Sequence, residues 1–194
     1  MQTPTHTLLA LAALGRKGTP RRNIAVVAGS LVPDLFIYVA WPWLTFVRRE
    51  SQERIWSEIY FDVPMQTVGA IFNSAPLYAV MAAIGWRFRE KVWGSLAMVF
   101  ALAALIHIAS DLPVHADDAH RHFWPITDLR FFSPISYWDP AHHGRWVGTL
   151  EALRGISLCT LLFFGFRKWL TRASLVVLGL LYVGVIAYMA SGWL

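Results

Sequence analysis

Along most of this chain apolar residues run on without the polar interruptions of a surface helix or the alternation of a half-buried strand. Five such runs, about 24 to 47, 64 to 86, 93 to 112, 149 to 166 and 173 to the end, are long enough to cross a bilayer at about 20 residues each. A sixth, Leu8 to Leu14, is too short. Thr3-Pro4-Thr5 supplies a helix start and Gly15 a stop, so this run is expected to dip into the membrane or pack inside a bundle. Pro33 and Pro42 fall inside the first full span and predict kinks, whose freed carbonyls must find partners within a bundle because lipid offers none.

The polar positions separate these runs. Residues 48 to 62 carry mixed charge and suit a short interfacial helix, and Arg87 to Lys91 make a basic turn. From Pro113 to about Gly148 the chain is irregular and rich in Pro, Asp, His and aromatics, which predicts a folded functional cap and not a linker. The expectation is an all-α, polytopic membrane helix bundle in one domain, 1–194. It has about five helices, a short N-terminal helix and a structured cap loop over about 113–148. The cap's Phe123, Trp124, Phe131, Phe132, Tyr137 and Trp138 read first as an interfacial aromatic belt, and second as the lining of a path for a lipid.

Composition supports the membrane reading: 56% of residues are hydrophobic and 15% charged. The formal charge of +5 does not indicate nucleic acid, because Lys and Arg cluster in short turns between apolar runs. Ten of them (16, 17, 21, 22, 87, 89, 91, 167, 168, 172) fall on one side and six (48, 49, 54, 121, 130, 145) on the other, over longer loops. The ten-residue side is expected in the cytoplasm, which puts the cap on the periplasmic side of a bacterial inner membrane. No removed signal peptide is expected, since no basic region precedes the first apolar run. Cys159 is the single cysteine, so no disulfide forms within the chain. There is no Walker loop, Rossmann fingerprint, G-x-S-x-G elbow or zinc finger, and no internal repeat.

Six of the seven histidines lie between 107 and 143. His107 and Asp111 stand four residues apart on an expected helix, one above the other on one face, a spacing that suits two ligands of one divalent ion or a simple hydrogen bond at a helix end. Counting about 1.5 Å per residue from the basic ends puts His6 about 15 Å, Asp34 about 18 Å and His107 about 24 Å into the bilayer, with Asn73 also near mid-depth. Unpaired polar groups there are costly, so the four segments are expected to converge on one another or on a metal. In the cap, His115, Asp117, Asp118, His120 and His122 read either as additional ligands and proton carriers or as a solvated turn, and Asp139 reads as a cap for the turn that carries His142 and His143. Glu151 and Arg154 are expected to pair with each other or to close the cavity.

Three elements carry a resemblance. T-x-T-H-x-L-L-A-L with His6, G-S-L-V-P-D with Asp34 and H-I-x-S-D with His107 and Asp111 occur in the order seen in the LexA-binding, inner-membrane-associated family of metal-dependent hydrolases, covering roughly residues 1 to 125. The resemblance implies that His6, Asp34, His107 and Asp111 are metal ligands. The chain departs from the family pattern twice. Pro33-Asp34-Leu35-Phe36-Ile37 stands where the family commonly reads P-D-x-D-H, and Phe72-Asn73-Ser74 where it reads T-H-S. Either the site is mononuclear, or the cap replaces ligands, or catalysis is lost. The whole chain is also similar to short bacterial membrane proteins sharing H-F-W-P and S-Y-W-D-P-x-H-H-G.

The expected function is a membrane-embedded, metal-dependent hydrolase of a lipid-linked ester or phosphoester. One divalent ion, Zn by ligand type, would activate water while His115, Asp118 or His122 moves the proton. The alternative is a non-catalytic subunit or assembly factor of a larger membrane complex, in which the same groups hold a structural metal or lock the helices. Membrane lipids, and other membrane subunits under the second reading, are the expected partners; nucleic acid is not.

Overall fold

A computed structural model describes residues 1–191, and it is helical throughout its regular parts. The short apolar run forms α1 (Thr3–Leu14), and the first span is α2 (Pro20–Pro42), prolonged by a π-helical turn over Trp43–Val47. The polar connection holds α3 (Gln52–Ser57), started by the Ser51 hydroxyl accepting from the Arg54 amide. Then follow α4 (Val63–Phe72), α5 (Ala75–Arg87), α6 (Val92–Asp111), α7 (Gly144–Gly165) and α8 (Trp169–Ala190). Five stretches are long and apolar enough to cross a membrane: Pro20–Val47, Val63–Arg87, Val92–Asp111, Gly144–Gly165 and Trp169–Ala190. The expected end of the fifth span, residues 192 to 194, lies outside the described residues.

Three boundaries differ from the sequence reading. The helix passes through Pro33 and reaches Pro42 before its geometry changes to the π-helical turn. The second span is broken: Asn73 ends α4, and Ser74 caps α5 by accepting from the Leu77 amide, with Pro76 at the first turn. Its two halves have continuous hydropathy, which conceals the break. Span four begins at Gly144 and not near Thr149, because His143 takes a left-handed backbone (φ 65°) that turns the chain directly into α7.

Small residues set the helix spacing. Gly29 of α2 is seated on the Phe100 carbonyl of α6, Gly85 of α5 on the Met98 backbone of α6, and Gly155 of α7 on the Tyr182 ring of α8. Between these two groups stands α1. Its Leu8 packs with Ala152, Cys159, Leu162, Leu175 and Tyr182 of α7 and α8, while Ala10 packs with Val26, Val99 and Ala103 of α2 and α6. The short helix therefore joins the two groups, burying Thr5, His6, Leu8 and Ala10 between them and leaving Pro4, Ala12 and Ala13 exposed.

The cap folds over one end. His115 O accepts from the Ser133 amide (2.9 Å), Val114 O from the Tyr137 amide (3.2 Å), and His122 O from the Ala75 amide (2.8 Å), while the Ser74 hydroxyl donates to Trp124 O. The break between α4 and α5 is thus the cap's anchor. At the cap surface, Asp139 accepts from the Ala141 amide (2.9 Å) and pairs with His142 Nδ1 (2.6 Å). The hydrogen bond to Asp139 raises the His142 pKa, and the pairing holds the Asp139 carboxyl below its usual range. A histidine whose folded pKa is raised contributes stability below its unfolded value near 6.5, and that contribution disappears as pH climbs through the raised value. In Asp139→Asn the His142 pKa is expected to drop towards 6.5, read from the ring proton shifts by NMR titration; an unmoved pKa would contradict the pairing.

Candidate metal centre

Two imidazoles, one from α1 and one from α6, lie stacked with ring centroids 3.6 Å apart and planes 13° from parallel. They are His6 and His107, both 0% exposed, and both present Nε2 to the Asp111 carboxylate, itself 2% exposed. His6 Nε2 is 3.0 Å from Asp111 Oδ1 and His107 Nε2 is 3.0 Å from Oδ2. The i, i+4 relation places His107 over Asp111 on α6, and the close packing of α1 on α6 brings in His6.

The opposite nitrogens decide the protonation. His107 Nδ1 is 2.7 Å from the Ser30 carbonyl, which only accepts, so Nδ1 carries the proton. His6 Nδ1 is 2.9 Å from Ser110 Oγ, whose own proton goes to the Ile106 or His107 carbonyl (2.8 and 2.9 Å), so this Nδ1 is also the donor. In its neutral form each ring turns the Nε2 lone pair towards Asp111, and in its protonated form it is an ion pair with that carboxylate. Neither Nε2 makes a hydrogen bond, although carboxylate oxygens stand 3.0 Å away, because those oxygens lie out of line. Two neutral rings facing the carboxylate would repel it, which a ring proton or a bound cation relieves, and the Met1 amine already lies 2.6 Å from Asp111 Oδ1. Ligand atoms on a tetrahedral ion at about 2.0 Å are roughly 3.3 Å apart, and the ligand atoms of His6, His107 and Asp111 lie within 4.8 Å of one another. The residues fit a divalent metal, with Ser30 and Ser110 supplying the outer hydrogen bonds that orient metal-binding histidines.

Of the four residues implied as ligands, His6, His107 and Asp111 come together as one possible metal-binding group. Asp34 stands at its edge, with Oδ1 3.5 Å from His107 Nε2 and Oδ2 accepting from the Thr3 hydroxyl. Asn73 is fully buried; its amide donates to Pro33 O (3.0 Å) and Gly69 O (3.2 Å), and its Oδ1 has no partner. In the cap, His115 bridges two carboxylates, with Nε2 3.2 Å from Asp111 Oδ1 and Nδ1 3.0 Å from Asp118 Oδ2. Burial disfavours its charged form, but hydrogen bonds with Asp111 and Asp118 outweigh that and raise its pKa. His120 is pushed down to about 3 by burial and by His115 and His122, and its ring meets the Phe36 edge. His122 rests on the Asn73 carbonyl (3.3 Å), where burial lowers its pKa. Asp117 joins Asp139 and His142 in a separate, outer group.

Two further groups meet this cluster. The Met1 amine reaches Asp111 Oδ1 (2.6 Å) and His115 Nε2 (3.2 Å). Of the two arrangements expected of Glu151 of α7, an ion pair with Arg154 is not formed, and the residue lines a cavity instead. Its Oε1 accepts from the Gln2 amide (2.7 Å) and the Thr5 hydroxyl (2.8 Å) and so caps α1 from another helix. Thr5 also meets Tyr182 OH at 2.6 Å, so α7 and α8 together fix the helix that carries His6.

The chain matches no protein-family model, no curated protein and no solved structure. The site is therefore read from its own chemistry.

Proposed function

We propose that this protein is a membrane-embedded, metal-dependent hydrolase acting on a lipid-linked ester or phosphoester. The observation that carries the reading is the convergence of His6 and His107, oriented by Ser110 and the Ser30 carbonyl, on Asp111 inside the bundle. The resemblance to the LexA-binding, inner-membrane-associated hydrolases supports it. His6, His107 and Asp111 would hold the ion, with Asp34 beside them; three protein ligands are the usual number where a fourth position takes water or substrate. A bound divalent ion, Zn by this donor set, would bring water towards a neutral pKa and polarise the substrate oxygen. His115 stands next to Asp111 and would move the proton, its imidazolium form held by Asp118 at 3.0 Å. His122 forms the adjoining wall and is the second proton carrier in reach of the cap. The Lys and Arg count supports an orientation with the cap outside, which in a bacterial inner membrane is the periplasm.

The test is hydrolysis of phospholipid vesicles by zinc-loaded protein, following released phosphate and fatty acid. Wild type is expected to turn over, with His115→Ala at least about 100-fold slower and still loaded with metal. A His115→Ala protein as active as wild type would remove the proton-transfer assignment. The full burial of His6 and His107 favours a second reading, a non-catalytic subunit whose polar cluster locks the helices. Folded wild type that takes up no metal would establish that one.

A further inference from the structure

Arg154 lies ten residues into α7, about 15 Å below its first residue, within a membrane-spanning segment. The arginines in ion pairs are Arg48, Arg54, Arg89 and Arg121; among the described residues Arg154 has neither an ion pair nor a hydrogen bond. Its side chain is exposed, so the guanidinium is open to a ligand, and an ionisable residue inside a span is read first as functional. It lines a groove of about 570 Å³ between α1, α6 and α7. Leu9, Ala13 and Ile106 make the deep end of that groove apolar.

One turn above Arg154, Glu151 lines the same groove. It is 6% exposed; Oε1 is occupied by the start of α1, and Oε2, shut off from solvent, has no partner, so a ligand meets it when the Glu151 side chain turns into the groove. Ser110, which also lines the groove, is the residue that orients His6, so the groove and the metal centre share a wall.

We infer that this groove seats a lipid phosphomonoester, with its chain along the apolar end and its phosphate between Arg154 and Glu151. The chemistry selects the monoester. A guanidinium binds two phosphate oxygens side by side. The unpartnered Glu151 oxygen then requires a hydrogen-bond donor, and a monoester monoanion supplies one P–OH where a diester anion has none. A neutral diacylglycerol satisfies neither group. From the hydrolase reading the inference takes only that the substrate is lipid-linked, and it narrows that substrate to a phosphoester.

The experiment is native mass spectrometry of the detergent-purified full chain with three probes. They are the phosphonate analogue of phosphatidic acid, whose P–C bond resists hydrolysis, its monomethyl ester, and diacylglycerol. Wild type is expected to retain the phosphonate at least about tenfold better than either other probe, and Arg154→Gln to lose that preference with its metal content unchanged. Equal retention of all three, or a preference that survives Arg154→Gln, would overturn the inference. Leu150→Trp, which narrows the groove without touching a charge, is expected to reduce retention as well. Failure of the two readings is distinguishable. Metal-free wild type that still prefers the phosphonate sinks the hydrolase and keeps the groove, whereas metal-loaded protein without the preference does the reverse.

Discussion

In Asp111→Asn and His107→Ala proteins, bound transition metal is expected to fall from about one equivalent to under about a tenth, measured by elemental analysis beside wild type. Asp111 supplies both oxygens that the two histidines face, so its amide leaves a weaker ligand and removes the charge that compensates the ion. His107→Ala removes a ligand fully buried in the bundle. A graded companion separates metal binding from folding. Ser110→Ala leaves every ligand in place and frees only His6 Nδ1, so metal affinity is expected to weaken by about 10- to 100-fold. Thermal unfolding of each variant shows whether the bundle survives. Wild type with no metal, or Asp111→Asn with a full equivalent, would remove the metal centre from this account.

The second large effect is expected at Gly29→Val. A Cβ at Gly29 would lie 2.1 Å from the Phe100 carbonyl oxygen, and that atom belongs to backbone, so α2 and α6 must separate. The cost is expected to reach about 3 kcal/mol, the upper range for overpacking a tight core. Chemical unfolding in mixed micelles measures it. Gly184→Ala is the control: nothing lies within 4 Å of its Cβ, and a helical glycine replaced by alanine gains stability. The effect at Gly29 also extends to the metal centre. Ser30 follows it on α2, and its carbonyl holds His107 Nδ1 at 2.7 Å, so helices forced apart are expected to lose metal together with stability. A Gly29→Val protein as stable as wild type would mean that α2 and α6 do not meet as described.

The apolar runs determined the five spans, because bilayer thickness imposes a length that residue counting detects. His107 and Asp111 were legible as a pair because both stand on one helix, where spacing alone sets the face. The cap was legible as folded from its aromatics and its length, though not its anchor at the break between α4 and α5, because Asn73 and Ser74 interrupt the helix without interrupting its hydropathy.

Only the tertiary structure decided which groups from different helices meet. It set His6 against His107, gave each ring its tautomer through the Ser30 carbonyl and the Ser110 hydroxyl, and left Asp34 at the edge. It also turned Glu151 towards the start of α1 and left Arg154 facing an open groove. A span's length and polarity are properties of one segment and can be counted along the chain. The direction of a lone pair depends on how closely two helices approach, and that is set by where small residues such as Gly29 and Gly155 let backbone and ring atoms touch.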